Sequence, residues 1–254
     1  MREQANLTLE AAAPRLDKTR SSLGRVETGK SRADVHLIRS MMDLYDHYDP
    51  DLLDLAREAN RPGWWTKYNI EDRGFIDMET EAAVSQEFTL VYVPGLLQTE
   101  AYMRALFSTG RMRWTETTLR NEVAARLIRQ HRLTDEEFPL TFTAIIDEAA
   151  LRKKVGGAEV MQKQLRHLIE CADLPSVSIQ VLPDEAGAHI GMDGAYTILT
   201  FPDEDPEVLY VEYVTGGLQI ESPEELAEAK LVFQQLRSHA LSPADSVAMI
   251  ERLA

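Results

Sequence analysis

The apolar pattern changes its period between residues 46 and 65, and that change limits what this chain can fold into. Up to Tyr45 the apolar residues recur every three or four positions, as in Leu9, Ala12, Ala13 and Leu16, then Leu37, Ile38, Met41 and Leu44. That spacing marks amphipathic helices. Asp49-Pro50 and then Arg61-Pro62-Gly63-Trp64-Trp65 interrupt it, and the domain boundary is placed there. Beyond the break, strand-like runs alternate with helical ones. Residues 88–93, 140–146, 176–182, 195–201 and 208–214 read as strands. Residues 99–107, 116–132, 148–153, 160–171, 223–239 and 243–253 read as helices. The expected fold is α+β overall. An all-α helix-turn-helix module with a truncated first helix occupies 1–48, and a connecting helix and linker occupy 49–65. A larger α+β domain, with a sheet of four or five strands flanked by helices, occupies 66–254.

Within the first module the stop and start signals are specific. Thr8 is an N-cap, with Glu10 in the first turn of its helix. Pro14 interrupts that helix about two turns in. Asp17 supplies a residue that tolerates the left-handed conformation of a tight corner. Thr19 caps the next helix, which points Leu23 and Val26 inward and Arg20, Ser21, Ser22 and Arg25 outward, and Gly29 stops it. Residues 1–40 carry a formal charge of +3 and the remainder −18, within a net charge of −15. A basic end on an acidic body points to nucleic-acid contact confined to that end. Arg forks onto guanine, while Ser and Thr bond base edges or phosphate, so Thr19, Arg20, Ser21, Ser22 and Arg25 are the candidate readers. Lys18, Lys30 and Arg32 flank them as phosphate contacts. A lone module seldom suffices, so a homodimer on two half-sites of double-stranded DNA is expected.

Elsewhere the sequence argues for plain structural roles. The single Cys171 rules out an internal disulfide framework and a multi-cysteine zinc site. No run approaches a membrane span and the N-terminus is too polar for a secretory signal, so a cytoplasmic address is expected. Trp64 and Trp65 are a possible ligand or partner surface, with packing of the linker the favoured reading. His189 with Asp193, in a glycine-rich stretch between two strands, is a possible acid–base pair, metal foothold or ligand surface, with a plain strand connection favoured. Asp147-Glu148 are adjacent carboxylates that point apart. No catalytic residue, metal or cofactor is expected, and the chain does not read as an enzyme.

Through Leu7-Thr8-Leu9-Glu10, Ser22-Leu23, Arg25-Val26-Glu27-Thr28-Gly29-Lys30 and Asp43-Leu44-Tyr45, the N-terminal segment resembles an Xre-type (lambda-repressor-like) helix-turn-helix module. The rest resembles the C-terminal domain of unknown function of actinobacterial Scr1-like regulators. Pro62-Gly63-Trp64-Trp65, Val93-Pro94-Gly95-Leu96-Leu97-Gln98-Thr99-Glu100, Asp147-Glu148-Ala149-Ala150-Leu151-Arg152 and Gly187-Ala188-His189 are its landmarks, in family order. The resemblance implies a DNA-binding transcriptional regulator acting with a small protein encoded next to it. It also implies a full helix before Leu7, here reduced to Met1 through Ala5, and a Gly where Asp17 stands. The alternative reading is a protein-interaction subunit whose helix-turn-helix is degenerate and no longer binds DNA.

Overall fold

The computed structural model describes residues 1–29, 31–61, 63–68, 74–109, 114–202 and 205–254. It divides into two units, Met1–Gly63 and Trp64–Ala254. The first holds helices α1 (Leu9–Arg15), α2 (Arg20–Glu27), α3 (Val35–Tyr45) and α4 (Pro50–Ala59). Each starts on a side-chain oxygen that accepts a first-turn amide: Thr8, Thr19, Asp34 and Asp49 in turn. Ala12, Ala13, Leu16, Leu23, Leu37, Met41 and Tyr45 form the core. Helix α1 ends one residue after Pro14, so the missing amide falls in its last turn. Asp17 adopts φ 53°, the left-handed corner between α1 and α2, and Gly29 closes α2 with φ 71°.

The segment before α1 is a turn rather than a helix. Ala5 N–H donates to Met1 O at 3.0 Å and Leu7 N–H to Arg2 O at 3.2 Å. Met1, Ala5 and Leu7 pack against the helical core. Arg2 fastens the turn: its Nε donates to both carboxylate oxygens of Glu27 at 2.8 and 3.0 Å, and its Nη1 to Leu7 O at 2.6 Å. The turn is therefore tied to the C-terminal end of α2. Asn60 Nδ2 ties the end of α4 to the loop before α3, donating to Ala33 O and Ala56 O at 2.7 Å each.

The second unit contains α5 (Phe75–Glu81), β1 (Val84–Thr89), α6 (Glu100–Ser108), α7 (Glu116–Gln130), β2 (Thr141–Asp147), α8 (Glu148–Arg152), α9 (Ala158–Ala172), β3 (Val177–Leu182), β4 (Tyr196–Thr200), β5 (Val208–Tyr213), β6 (Gly216–Ile220), α10 (Pro223–His239) and α11 (Pro243–Leu253). The strands form one sheet in the order β3-β2-β1-β4-β5-β6. β1 to β3 run parallel, and β4 to β6 continue antiparallel. On one face Phe88, Ile145, Ile198 and Leu209 pack against Leu226, Phe233 and Leu236 of α10. On the other Phe142, Ala144, Ile146, Ile179 and Val181 meet Tyr102, Leu165, Leu168 and Ile250 from α6, α9 and α11. The β3 edge is capped at Val181 by the first turn of α11 and the chain before it: Leu241 N–H donates to Val181 O at 2.8 Å, and Val181 N–H donates to Ser246 Oγ at 2.9 Å. Ser246 is fully buried.

Two expectations change. The strand read at 88–93 is in fact Val84–Thr89, and 90–93 bends away after Thr89 Oγ1 donates to Tyr92 O at 2.8 Å. The sheet also has a sixth strand at Gly216–Ile220, which two glycines and an exposed Gln219 hid from a pattern search. α5 is a further element beyond those expected.

Candidate nucleic-acid interface

Helix α2 is held as a reader must be. Thr19 Oγ1 accepts the Ser22 amide at 3.1 Å, Leu23 is fully buried, and Val26 packs against the same core. Eight residues give a rod of about 12 Å, comparable to the width of the major groove. Arg20, Ser21 and Arg25 are exposed on it, beside Thr19, Lys18 and Arg32. Ser22 is half-buried and departs from the outward set. Lys30 and Pro62 lie outside the described residues. Arg20 pairs with Glu10 of α1, and Arg25 Nε donates to Ser31 Oγ at 3.1 Å. Both residues of the Arg20–Glu10 pair are exposed, and such a pair is weak beside a bidentate contact to guanine. Over the whole first unit the formal charge is −1, because Asp43, Asp46, Asp49, Asp51, Asp54 and Glu58 follow the basic stretch. Cationic charge is therefore local to the surroundings of α2.

A helix-turn-helix domain model matches residues 1–56. A model described as a domain of unknown function, DUF5753, matches residues 72–252, well over half the chain. The chain belongs to the DUF5753 family. No curated protein and no solved structure matches it.

The other sequence candidates lie inside the unit that carries the DUF5753 domain. Trp65 is buried against Ala125, and Trp64 meets it edge-on with ring centroids 5.9 Å apart. Trp64 Nε1 donates to Thr80 Oγ1 at 3.2 Å. The two rings thus form a packed corner of this unit with Tyr68 and Ile76. His189 does not pair with Asp193, which is exposed. Its Nε2 lies 3.4 Å from Asp147 Oδ2, and its ring meets Phe88 edge-on at 6.0 Å. Asp147 also accepts the Ala149 amide at 2.9 Å, so it caps α8 while holding the loop. Its neighbour Glu148 is buried the other way, pairing with Arg152 and accepting the Asp184 amide at 2.9 Å. These bonds fasten the 184–189 loop to the end of β2. Cys171 is a core residue whose thiol is pushed up to about 11 by burial. Among the described residues no metal-binding group of His, Cys, Asp and Glu is assembled, and no helix is long and apolar enough to cross a membrane.

One site escaped the sequence reading. Ala144, Glu87, Thr197, Tyr210 and Gln219 stand in register across five strands. Over the Glu87–Thr197–Tyr210 part of that row lies α7, and the space between them is a cavity of about 160 Å³. The helix turns Glu122, Ala125, Arg126 and Arg129 toward it, a stripe of i, i+3, i+4 and i+7 that is charged where a core-facing stripe is ordinarily apolar. Phe75 stacks obliquely on Tyr210 at 4.6 Å and closes one side. Arg129 is spoken for: its Nε and Nη2 bind the buried Glu79 carboxylate at 2.5 and 2.7 Å. Arg126 donates to Gln98 Oε1 at 2.7 Å and lies over the Phe107 ring at 4.6 Å. Burial, then the charge of Glu79, pushes the Glu87 carboxyl up to about 8. Burial, then the charge of Arg129, pulls the Arg126 guanidinium down from its ordinary value.

Proposed function

We propose that this chain is a DNA-binding transcriptional regulator that reads an operator with α2. The observation that carries the reading is the Thr19-capped helix, anchored by Leu23 and presenting Arg20, Ser21 and Arg25, within a segment that matches a helix-turn-helix domain. Arg20 and Arg25 supply the base contacts, with Thr19 and Ser21 beside them, while Lys18, Lys30 and Arg32 grip phosphates. The landmarks shared along the chain support an Xre-type module and a place among the actinobacterial Scr1-like regulators. On this reading the protein works in the cytoplasm as a homodimer on paired half-sites, with a small protein encoded next to it as a further partner. The DUF5753 domain supplies partner, dimer or signal recognition and performs no catalysis.

The test is selection of a binding site from random duplexes, followed by gel-shift titration of the selected duplex. Arg20→Ala with Arg25→Ala is expected to lose at least about 2 kcal/mol of operator affinity, with the circular dichroism spectrum unchanged. Failure of the wild-type chain to enrich any duplex, or unchanged affinity in the double variant, overturns the reading. The first result favours a protein-interaction subunit whose helix-turn-helix no longer binds DNA.

A further inference from the structure

The cavity under α7 holds an acidic and a basic side chain, Glu87 and Arg126, that the protein does not pair with each other. Among the described residues the half-buried Glu87 carboxylate has no hydrogen-bond or ion-pair partner. Among the described residues Arg126 has a neutral amide and an aromatic ring as its neighbours and no carboxylate within ion-pairing distance. Removing either charge from water is costly unless a counter-charge meets it. A pair built only for stability would have closed on itself, as Arg129 does on Glu79 in the same helix stripe. Instead Glu87 comes from the middle of β1 and Arg126 from α7, with the cavity between them. Glu212, two residues along β5 from Tyr210, adds a second carboxylate on the same sheet face. Phe75 and Tyr210 supply an apolar aromatic wall, and the Tyr92 hydroxyl stays protonated because burial raises its pKa.

We propose that this cavity binds a small zwitterion of the aromatic amino-acid class, its ammonium on Glu87 and Glu212, its carboxylate on Arg126 and its apolar body against Phe75 and Tyr210. The proposal gives content to the signal-recognition role read above and rests on that reading only for its regulatory meaning. The occupant is a free small molecule rather than a chain segment, because the space is small and charged at both ends. Three probes separate the contributions: phenylalanine carries both charges, phenethylamine only the ammonium, and 3-phenylpropionate only the carboxylate.

The experiment is isothermal titration of the full chain with each probe at about pH 8, where the Glu87 carboxyl ionises, without DNA. Phenylalanine is expected to bind at least about tenfold more tightly than either single-charge probe, since each end loses a charge-assisted hydrogen bond when deleted. Glu87→Gln is expected to weaken phenylalanine to the level of 3-phenylpropionate and to leave 3-phenylpropionate itself little changed. Arg126→Gln is expected to do the converse, with phenethylamine as the reference. Glu212→Gln alters an exposed side chain on β5 and is expected to leave folding intact, so a several-fold loss for phenylalanine there guards against misfolding of the other two variants. No saturable heat with millimolar phenylalanine, phenethylamine binding as tightly as phenylalanine, or unchanged affinity in all three variants overturns the proposal. The readout contains no DNA, so a failure of operator binding leaves it untouched, and its own failure leaves operator binding intact.

Discussion

Glu87 is the residue on which the second unit's pH response turns. Its carboxyl is pushed up to about 8 from an ordinary 4.5, by burial first and by Glu79 and Glu212 after it, against the opposing pull of Arg129 and Arg126. A raised carboxyl pKa means the folded chain holds the proton more tightly than the unfolded one. The contribution to stability is therefore complete below pH 4.5 and is lost as pH rises toward 8, at up to about 1.4 kcal/mol per pH unit. Glu87→Gln keeps the shape and removes the titration. Its melting temperature is expected to match the wild type near the lower limit and to exceed it increasingly toward the upper one. A gap that stays constant across thermal melts in that window would show that Glu87 ionises freely. This is also where sequence reading fell short. Ser85, Gln86 and Glu87 do not look like the centre of a strand, so apolarity alone places the strand four residues late, at the 88–93 run. The displaced strand and the unannounced site have one cause: half-buried Glu87 lines a cavity where an apolar strand residue would pack.

At the level of elements, what was legible is what local chemistry decides. Thr8 and Thr19 start their helices, Asp17 takes the left-handed corner and Gly29 ends α2, all because capping and backbone preference need no tertiary partner. What was illegible depends on partners far away in sequence. The turn before Leu7 is fixed by Arg2 reaching Glu27, which no local pattern announces. β6 forms because β5 offers it a ladder, against the preference of Gly216 and Gly217. α7 is legible as a helix, but nothing local announces that its charged stripe faces a cavity. The seal on β3 makes a further prediction at this scale. Ser246→Ala removes the acceptor for the buried Val181 amide and is expected to lower stability by about 1–3 kcal/mol in urea unfolding, while α11 keeps its apolar contacts. A loss within experimental error would mean that the amide finds another acceptor.

Across the whole molecule the charge is uneven. The first unit carries a formal charge of −1 and the second −14, so on the proposed reading affinity for DNA rests on the few cations around α2. Each phosphate contact contributes about 0.9 to the negative slope of log K against log salt. Lys18→Ala and Arg32→Ala are each expected to flatten that slope by about 0.9 in anisotropy titrations. Unchanged slopes would remove these two residues from the interface. The sheet of the second unit has a directionality of its own. Its β3 margin is stitched shut through Val181, while its β6 margin runs exposed from Gly216 to Gln219, with Leu218 exposed on it and two glycines carrying no side chain. An open margin of this kind is where sheets lengthen or aggregate. Lengthening of this sheet is therefore one-sided: a seventh strand has its place beside Gly216–Ile220, and the opposite flank is already closed by the chain that leads into α11.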